Sequence, residues 1–222
     1  YLPAIGFFVA ALGLAAGRWG TRRELVWGLV ATATAYGAGT LSRNRVWADP
    51  LALWEDTAEK SPGKWRAFAN LGREYSDGKQ FEKATTAYQR AVELVPPRTE
   101  NHAELLSNLG STYNNRHMYT QAVEVYQEAL KISPGRPRLL TNLGMAEVRL
   151  GREEGWKRFQ TAIEGDRMAW EPHMARGNLY YEMQRYDEAI LDYERVLQIL
   201  PDHPDAQYNL KAARAMKLRR GR

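Results

Sequence analysis

The sequence contains no cysteine, and this absence excludes disulfide-stapled scaffolds, zinc sites with thiolate ligands and cysteine nucleophiles. Histidine is scarce, and metal-ligand spacing is absent among His102, His117, His173 and His203. The sequence also has no phosphate-binding loop, no dinucleotide fingerprint and no nucleophile elbow. These absences predict a protein that is not an enzyme, with no catalytic, cofactor-binding or metal-ligating residues and no cofactor.

Charge is nearly absent from residues 1–41, which hold only Arg18, Arg22, Arg23 and Glu24. The net charge of +5 is carried mainly by residues 211–222, which are rich in lysine and arginine and have no acidic residue. The body of the chain is therefore slightly acidic, which excludes a uniformly basic nucleic-acid-binding domain, and we expect no nucleic-acid partner. The basic end is interpreted as a solvated helix end, or as a contact with acidic lipid headgroups or with the acidic body of a neighbouring copy.

A motif of apolar, small and aromatic residues repeats along the chain. Two copies match at eight positions, namely Leu71, Gly72, Tyr75, Phe81, Ala84, Tyr88, Ala91 and Pro96, and then Leu109, Gly110, Tyr113, Tyr119, Ala122, Tyr126, Ala129 and Pro134. The pattern resembles the tetratricopeptide repeat (TPR) family, whose unit is a helix–turn–helix. A third copy is degenerate because Glu147 replaces the tyrosine, and in a fourth copy Arg176 replaces the leucine. The resemblance covers about 64–220.

The repeats predict an all-α fold in which helix pairs stack into a right-handed α-solenoid. We expect about four and a half helix pairs plus a terminal helix, preceded by an apolar helical hairpin. The predicted segments are the hairpin at 1–45, a half-repeat helix at 46–63, four repeats at 64–203, and a terminal capping helix with a basic tail at 204–222. No flexible linker is expected before the repeats.

The two apolar segments at 2–17 and 24–41 predict the helical hairpin. Their helical lengths of about 24 and 27 Å fall slightly short of a bilayer core of about 30 Å. Small residues four positions apart would let helices pack closely in lipid or in any dry apolar core, and they are Gly6, Ala10, Gly13, Gly17, Ala35 and Gly39. The hairpin is interpreted either as a membrane anchor or as a core for self-association. In a membrane, the arginines between the segments would place the repeats outside the cytoplasm.

A second resemblance lies at the start of the chain. It is carried by residues 1–8, Arg43-Asn44, Val46-Trp47, Leu53-Trp54-Glu55-Asp56 and Lys60-Ser61-Pro62. These residues resemble the last membrane segments of GT-C-type glycosyltransferase-like membrane proteins with C-terminal TPRs. The resemblance implies an extracytoplasmic repeat domain. Any glycosyltransferase active site of a longer precursor would lie outside this chain, because nothing here matches that family's acidic catalytic loop.

One position of each repeat predicts a peptide-binding groove. The residue before the Leu-Gly pair is expected on the concave face, and it is Asn70, Asn108 and Asn142. Asn209 holds the matching place in the terminal helix, whereas Ala175 breaks the row in the fourth repeat. An amide both donates and accepts hydrogen bonds, so the row could pair with the backbone of an extended peptide, as in TPR relatives. The same face is expected to hold side chains that suit an acidic ligand, namely Arg66, Arg73, Asn114 and Arg149. The alternative is that all of these are ordinary solvated surface.

Together these patterns predict a non-catalytic protein–protein assembly module whose partners are other proteins, peptides or further copies of the chain. The start at Tyr1, inside an apolar motif, is interpreted as a sign of proteolytic release. On this hypothesis the chain is a structural subunit that self-assembles through its hairpin into an extracellular polymer or filament. The open ends of a solenoid would favour head-to-tail contacts. The alternative is a membrane-anchored, extracytoplasmic TPR tail that recruits peptides or proteins to a GT-C-like glycosyltransferase.

Overall fold

The computed structural model describes residues 27–28, 30–37, 47 and 49–220. It divides the chain into two compact units, Tyr1–Asp56 and Thr57–Arg222. All regular secondary structure in the described residues is helical. The predicted all-α fold class is therefore confirmed.

The first unit contains the helical residues 30–37, and Ala35 is exposed there. The other small residues predicted to allow close packing, Gly6, Ala10, Gly13, Gly17 and Gly39, lie outside the described residues. Among the helices of the described part, none combines the length and the apolar character that crossing a bilayer requires. The apolar hairpin and its boundaries therefore stay predictions.

Ten further helices follow from residue 50 onward. They are α1 (Pro50–Lys60), α2 (Trp65–Asp77), α3 (Phe81–Leu94), α4 (Glu100–Asn115), α5 (Tyr119–Ile132), α6 (Pro137–Arg149), α7 (Glu154–Gly165), α8 (Glu171–Glu182), α9 (Tyr186–Ile199) and α10 (Pro204–Arg220). The backbone N–H of Leu51 donates to Asp49 Oδ1 at 3.0 Å, so Asp49 caps the start of α1.

Helices α2 to α9 pack as four consecutive pairs, each formed by a first helix and a second helix. The second helix of each pair also contacts the first helix of the next pair, and α10 packs on α9. One pair alone leaves an apolar face uncovered, so the stacking of neighbours completes the core. This arrangement is the predicted α-solenoid.

The two helices of a pair approach closely at the glycine of the Leu-Gly motif. A Cβ atom at Gly110 would lie 2.6 Å from Cε1 of Tyr126, and one at Gly177 would lie 2.9 Å from Cε1 of Tyr193. Real Cβ atoms essentially never come within 3.0 Å of a heavy atom outside their own residue and its chain neighbours. The aromatic ring of the second helix therefore packs directly on the backbone of the first helix.

The third repeat departs from the motif and compensates for it locally. Glu147, at the tyrosine position, is buried and accepts a hydrogen bond from Arg158 Nε at 3.3 Å. Helices α6 and α7 meet glycine to glycine, since a Cβ at Gly155 would lie 2.6 Å from the carbonyl oxygen of Gly144. The degenerate sequence of this repeat thus still forms a closely packed pair.

The fourth repeat buries an ionic cluster where the motif has a leucine. Asp192, which is 4% exposed, accepts from Arg176 Nε at 2.8 Å and lies 2.9 Å from His173 Nδ1. The hydrogen bond to Asp192 raises the pKa of the Arg176 guanidinium above its ordinary value. Arginine is tolerated at this position because a buried carboxylate neutralises it.

Helix α10 closes the described end of the solenoid. Its residues Leu210 and Ala213 are buried against Ala189 and Tyr193 of α9. The basic side chains of α10 pair with α9 and the turn before it, through Arg214 with Glu194 at 2.6 Å, Lys217 with Asp187, and Arg220 with the carbonyl oxygen of Gln184 at 2.8 Å. Much of the basic tail therefore contacts α9 and the turn before it in its own chain. The sequence analysis considered solvent, lipid headgroups and a neighbouring copy, and it did not consider this contact within the chain.

Candidate functional site

A cavity of about 550 Å³ opens on the face formed by the first helices of the repeats. We call this face the groove and the cavity the first-repeat cavity. Its lining comes from α2, from Tyr88 of α3, from α4, and from Arg138 at the start of α6. The first-repeat cavity therefore spans three consecutive first helices.

Four of the eight predicted groove residues meet in this cavity. Arg66, Asn70 and Arg73 lie on α2 at steps of four and three residues, a spacing that places side chains on one helix face. Asn108 reaches the cavity from α4. Their assembly follows from helical periodicity within α2 and from the stacking of α4 beside it.

The lining of the first-repeat cavity has an excess of positive charge. Its charged side chains are Arg66, Arg73, Arg138, Asp77 and Glu104. Among the described residues, no ion pair engages any of these five side chains. Three guanidinium groups beside two carboxylates favour an anionic ligand, and each guanidinium can donate two parallel hydrogen bonds to a carboxylate.

Among the lining residues that the sequence analysis did not assign to the groove, three bear on ligand binding, namely Trp65, Arg138 and Tyr88. Trp65 forms an apolar wall, and the guanidinium of Arg66 lies 4.7 Å from the centre of its ring. Arg138 precedes Asn142 by four residues, as Arg66 precedes Asn70. This repeated spacing could have predicted that Arg138 lies on the same face as Arg66. Tyr88 has a packing role in the repeat motif, so the sequence gives no sign that it lines a cavity.

Asn142 and Asn114 lie outside the first-repeat cavity and bond to their own chain. Asn142 Nδ2 lies 3.4 Å from Ser111 Oγ. Asn114 Nδ2 lies 3.4 Å from both Tyr126 Oη and the carbonyl oxygen of Asn142. Asn114 Oδ1 is buried with no hydrogen bond to a described residue. These two amides therefore join the second repeat to the third.

Asn209 and Arg149 are also engaged within the chain. Asn209 Nδ2 donates to Asn178 Oδ1 at 3.0 Å. Arg149 forms an ion pair with Glu182 at 2.8 Å, and its guanidinium lies 5.8 Å from the ring centre of Tyr119. The predicted row of free amides is thus divided, with Asn70 and Asn108 lining the cavity and Asn142 and Asn209 holding neighbouring repeats together.

Three tyrosines of the second helices have perturbed hydroxyl groups. Burial raises the pKa of Tyr88 and of Tyr193 to about 12, and it also raises the pKa of Tyr126. The negative charge of Asp77 adds to the effect at Tyr88, whereas the positive charge of Arg73 opposes it. All three hydroxyls therefore stay protonated at neutral pH and can donate hydrogen bonds.

Comparisons with known proteins agree with this architecture. Residues 69–137 match a family profile described as tetratricopeptide repeat, and residues 157–216 match one described as TPR repeat. No curated protein sequence matches the chain significantly. The residues matched by the two profiles are therefore tetratricopeptide repeats.

Solved structures show the same fold at low sequence identity. The crystal structure of TTC0263, a thermophilic TPR protein in Thermus thermophilus, has a TM-score of 0.63 and 21% identity, covering 81% of this chain and 95% of that one. A crystal structure of MamA has a TM-score of 0.56 and 18% identity, covering 71% of this chain and 92% of that one.

The fold and the profile matches define a protein–protein interaction module built from TPR repeats, which present extended concave surfaces to partners. The resemblance of residues 1–62 to GT-C-type membrane proteins is not tested by these matches and stays a prediction.

Proposed function

We propose that the chain is a non-catalytic interaction module that binds an acidic segment of a partner peptide or protein in the first-repeat cavity. The observation that carries the proposal is the convergence there of Arg66, Arg73 and Arg138, none of which has an ion-pair partner among the described residues. The amides of Asn70 and Asn108 line the same space. Guanidinium and amide N–H groups together suit a carboxylate ligand.

The size of the cavity supports a side-chain ligand. A volume of about 550 Å³ lies within the range of pockets that enclose small ligands. It would hold one or two acidic side chains of a peptide, while the rest of the peptide follows the groove. The proposal therefore replaces the long amide row expected from the sequence with a local site at the first two repeats.

The test uses two fluorescein-labelled peptide pools. In the acidic pool the variable positions carry Asp, Glu, Ser, Gly or Leu, and in the amide pool Asn and Gln replace Asp and Glu. We expect saturable binding of the acidic pool by fluorescence polarisation, weakened by added salt because screening reduces charge attraction. The amide pool should bind far more weakly. Equal binding of the two pools would contradict the proposal.

Arginine variants localise the binding. Arg73→Ala and Arg138→Ala should each weaken binding of the acidic pool about tenfold or more, since a hydrogen bond to a charged group contributes about 1.5–3 kcal/mol. Arg167→Ala is the matched control, because Arg167 is exposed between α7 and α8 and does not line the cavity. The control removes the same charge and should leave the affinity unchanged.

We propose a second function for the apolar N-terminal region, which is either self-assembly or membrane anchoring. The supporting observation is the exposure of large apolar side chains there, with Trp27 at 64% and Val30 at 48%. Covering such surface contributes about 25 cal/mol per Å². The proposal has two forms, an extracellular polymer of released subunits and a membrane-anchored tail of a GT-C-like glycosyltransferase. Both forms place the repeats outside the cytoplasm.

Sedimentation and vesicle flotation separate the two forms. The full chain is compared with a variant lacking residues 1–41, which retains α1 and all four helix pairs. The polymer form predicts large assemblies of the full chain in detergent-free buffer, visible as fibres by negative-stain imaging, and a monomeric deletion variant. The anchored form predicts that only the full chain floats with vesicles. A full chain that stays monomeric and does not bind vesicles would rule out both.

A further inference from the structure

Three positions of the solenoid meet at each junction between repeats. The first is the aromatic residue of the second helix, and the second is the residue after the Leu-Gly glycine on the first helix of the same repeat. The third is the residue before the Leu-Gly pair, or its counterpart in α10, on the next first helix. We call these three side chains the junction trio, and the four trios differ in a systematic way.

In the second repeat the junction trio is Tyr126, Ser111 and Asn142, and it is closed by hydrogen bonds. Ser111 Oγ lies 3.1 Å from Tyr126 Oη and 3.4 Å from Asn142 Nδ2. The Ser111 hydroxyl donates to the carbonyl oxygen of Ser107 at 3.1 Å. Its oxygen is therefore the acceptor for both the tyrosine and the asparagine.

The junction trio of the fourth repeat has the same arrangement, with Asn178 as its central residue. Asn178 Oδ1 accepts from Tyr193 Oη at 2.9 Å and from Asn209 Nδ2 at 3.0 Å. As in the second repeat, one oxygen at the centre of the trio receives two donors. The central acceptor therefore satisfies both the tyrosine hydroxyl and the amide of the next repeat.

The junction trio of the third repeat is apolar at all three positions. It consists of Phe159, Met145 and Ala175, which pack in one cluster. No hydroxyl is present at these positions, and neither a central acceptor nor an asparagine accompanies the phenylalanine. The absence of an asparagine at Ala175 is thus matched by the loss of the groups that it would bond.

The trio of the first repeat, Tyr88, Arg73 and Asn108, has donors but lacks the central acceptor. Arg73 stands at the centre, and a guanidinium has no acceptor. Neither the Tyr88 hydroxyl nor the Asn108 amide hydrogen-bonds to any described residue, and all three side chains line the first-repeat cavity. Tyr88 is only 4% exposed, with its ring packed on Gly72. The Tyr88 hydroxyl oxygen is not enclosed by the protein, so it opens to the first-repeat cavity, where it can donate a hydrogen bond to solvent or to a ligand.

We infer that a ligand carboxylate supplies the missing acceptor, and that the Tyr88 hydroxyl is a ligand-binding donor. One carboxylate oxygen accepts from Tyr88 and from the Asn108 amide, while the guanidinium of Arg73 neutralises the charge. This inference rests on the proposed binding of acidic peptides and deepens it. It fixes the place of one ligand carboxylate and assigns binding to a residue that the repeat motif uses for packing.

The first test compares two tyrosine variants with the acidic peptide pool as the probe. Tyr88→Phe should lower the affinity about tenfold, because one hydrogen bond to the carboxylate is lost, and should leave the thermal midpoint unchanged. Tyr126→Phe is the matched control, since its hydroxyl bonds within the chain. It should lower the thermal midpoint and leave the affinity unchanged.

The second test installs the missing acceptor. Arg73→Asn places at the first trio the residue that the fourth trio has at Asn178, so the amide oxygen can accept from Tyr88 and Asn108. We expect a thermal midpoint about 2–4 °C above that of Arg73→Ala and loss of saturable binding. A midpoint equal to that of Arg73→Ala would show that the trio does not close, and would overturn the inference.

The outcomes separate this inference from the function on which it rests. If the wild-type chain binds the acidic pool and Tyr88→Phe binds it with equal affinity, the assignment of Tyr88 is overturned and the proposed function stands. If the wild-type chain binds the acidic pool no better than the amide pool, both are overturned. A tenfold loss in Tyr88→Phe, with none in Tyr126→Phe, supports both.

Discussion

Tyr88 and Tyr126 occupy the same position in consecutive repeats, yet only the hydroxyl of Tyr126 has hydrogen-bond partners among the described residues. Both rings pack on the glycine of their own repeat, so their packing is alike. The difference comes from the neighbouring first-helix residue, which is Ser111 beside Tyr126 and Arg73 beside Tyr88. Tyr126 thus helps to hold neighbouring repeats together, whereas Tyr88, at the same motif position, lines the first-repeat cavity.

Asn178 is predicted to be a structural residue. Asn178→Ala removes the acceptor that Tyr193 and Asn209 share, so we expect the free energy of unfolding to fall by about 1–3 kcal/mol. Urea denaturation measures this change. Asn115→Ala, at the exposed end of α4, should change it by less than about 0.5 kcal/mol. Equal effects of the two variants would contradict the bridging role of Asn178.

Asp192 is predicted to be the most sensitive polar position of the fourth repeat. Asp192→Ala leaves Arg176 without its buried counter-charge and removes the partner of His173. Breaking one partner of a buried ionic cluster costs about 3–5 kcal/mol.

The exposed ion pair of Arg90 and Glu93 provides the comparison for Asp192. Glu93→Ala should cost less than about 1 kcal/mol. Thermal unfolding of the two variants tests the difference, and a midpoint for Asp192→Ala near the wild-type value would show that the cluster is dispensable.

Because the two helices of the second repeat approach closely, adding a single methyl group at Gly110 is predicted to lower the stability of the fold. Gly110→Ala places a Cβ 2.6 Å from Tyr126 Cε1, and overpacking of this kind costs about 1–3 kcal/mol. Gly165→Ala meets nothing within 4 Å at the end of α7, and it should be neutral or stabilising by up to about 1 kcal/mol. Urea denaturation measures the free energy of unfolding of both variants. Equal values for Gly110→Ala and Gly165→Ala would contradict the close packing of Tyr126 on Gly110.

Alkaline pH is predicted to destabilise the repeats through their buried tyrosines. The pKa of Tyr88 and of Tyr193 is about 12 when folded, against 10.0 for an ordinary tyrosine, so the folded chain keeps these protons to higher pH than the unfolded chain. The resulting stabilisation is complete below about pH 10 and is lost as the pH rises towards about 12.

Urea midpoints measured at about pH 9 and about pH 11 test this dependence. The midpoint should fall between the two conditions, and Tyr193→Phe should reduce the fall because it removes one of the raised pKa values. An unchanged pH dependence in Tyr193→Phe would assign the effect to other groups.

Local patterns account for how much of this fold could be predicted. The spacing of glycine and aromatic residues requires close helix pairs, and the described residues form such pairs, from α2 with α3 to α8 with α9. Arg66, Asn70 and Arg73 share a face because they lie on one helix at steps of four and three residues. These relationships act within one helix or one repeat, where sequence distance and spatial distance agree.

The state of each groove residue depended on neighbours in other repeats. Asn142 and Asn209 occupy positions equivalent to that of Asn108 in the sequence. In the structure, however, their amide groups donate hydrogen bonds to Ser111 and Asn178 of the preceding repeats. The basic residues of α10 likewise pair across to α9. Such pairings need the geometry of stacked repeats, although the joint change to Phe159, Met145 and Ala175 was a sequence signal that the three positions are coupled.

The most direct test of the acidic-ligand site is a side-chain amide spectrum of the chain, recorded by ¹H–¹⁵N NMR with and without the acidic peptide pool. The site predicts that the Asn108 and Asn70 amide signals shift, while those of Asn142 and Asn209 stay in place because their bonds lie within the chain. Assignment uses the corresponding Asn→Ala variants. Shifts confined to Asn142 and Asn209, or no shift at any of the four, would contradict the account.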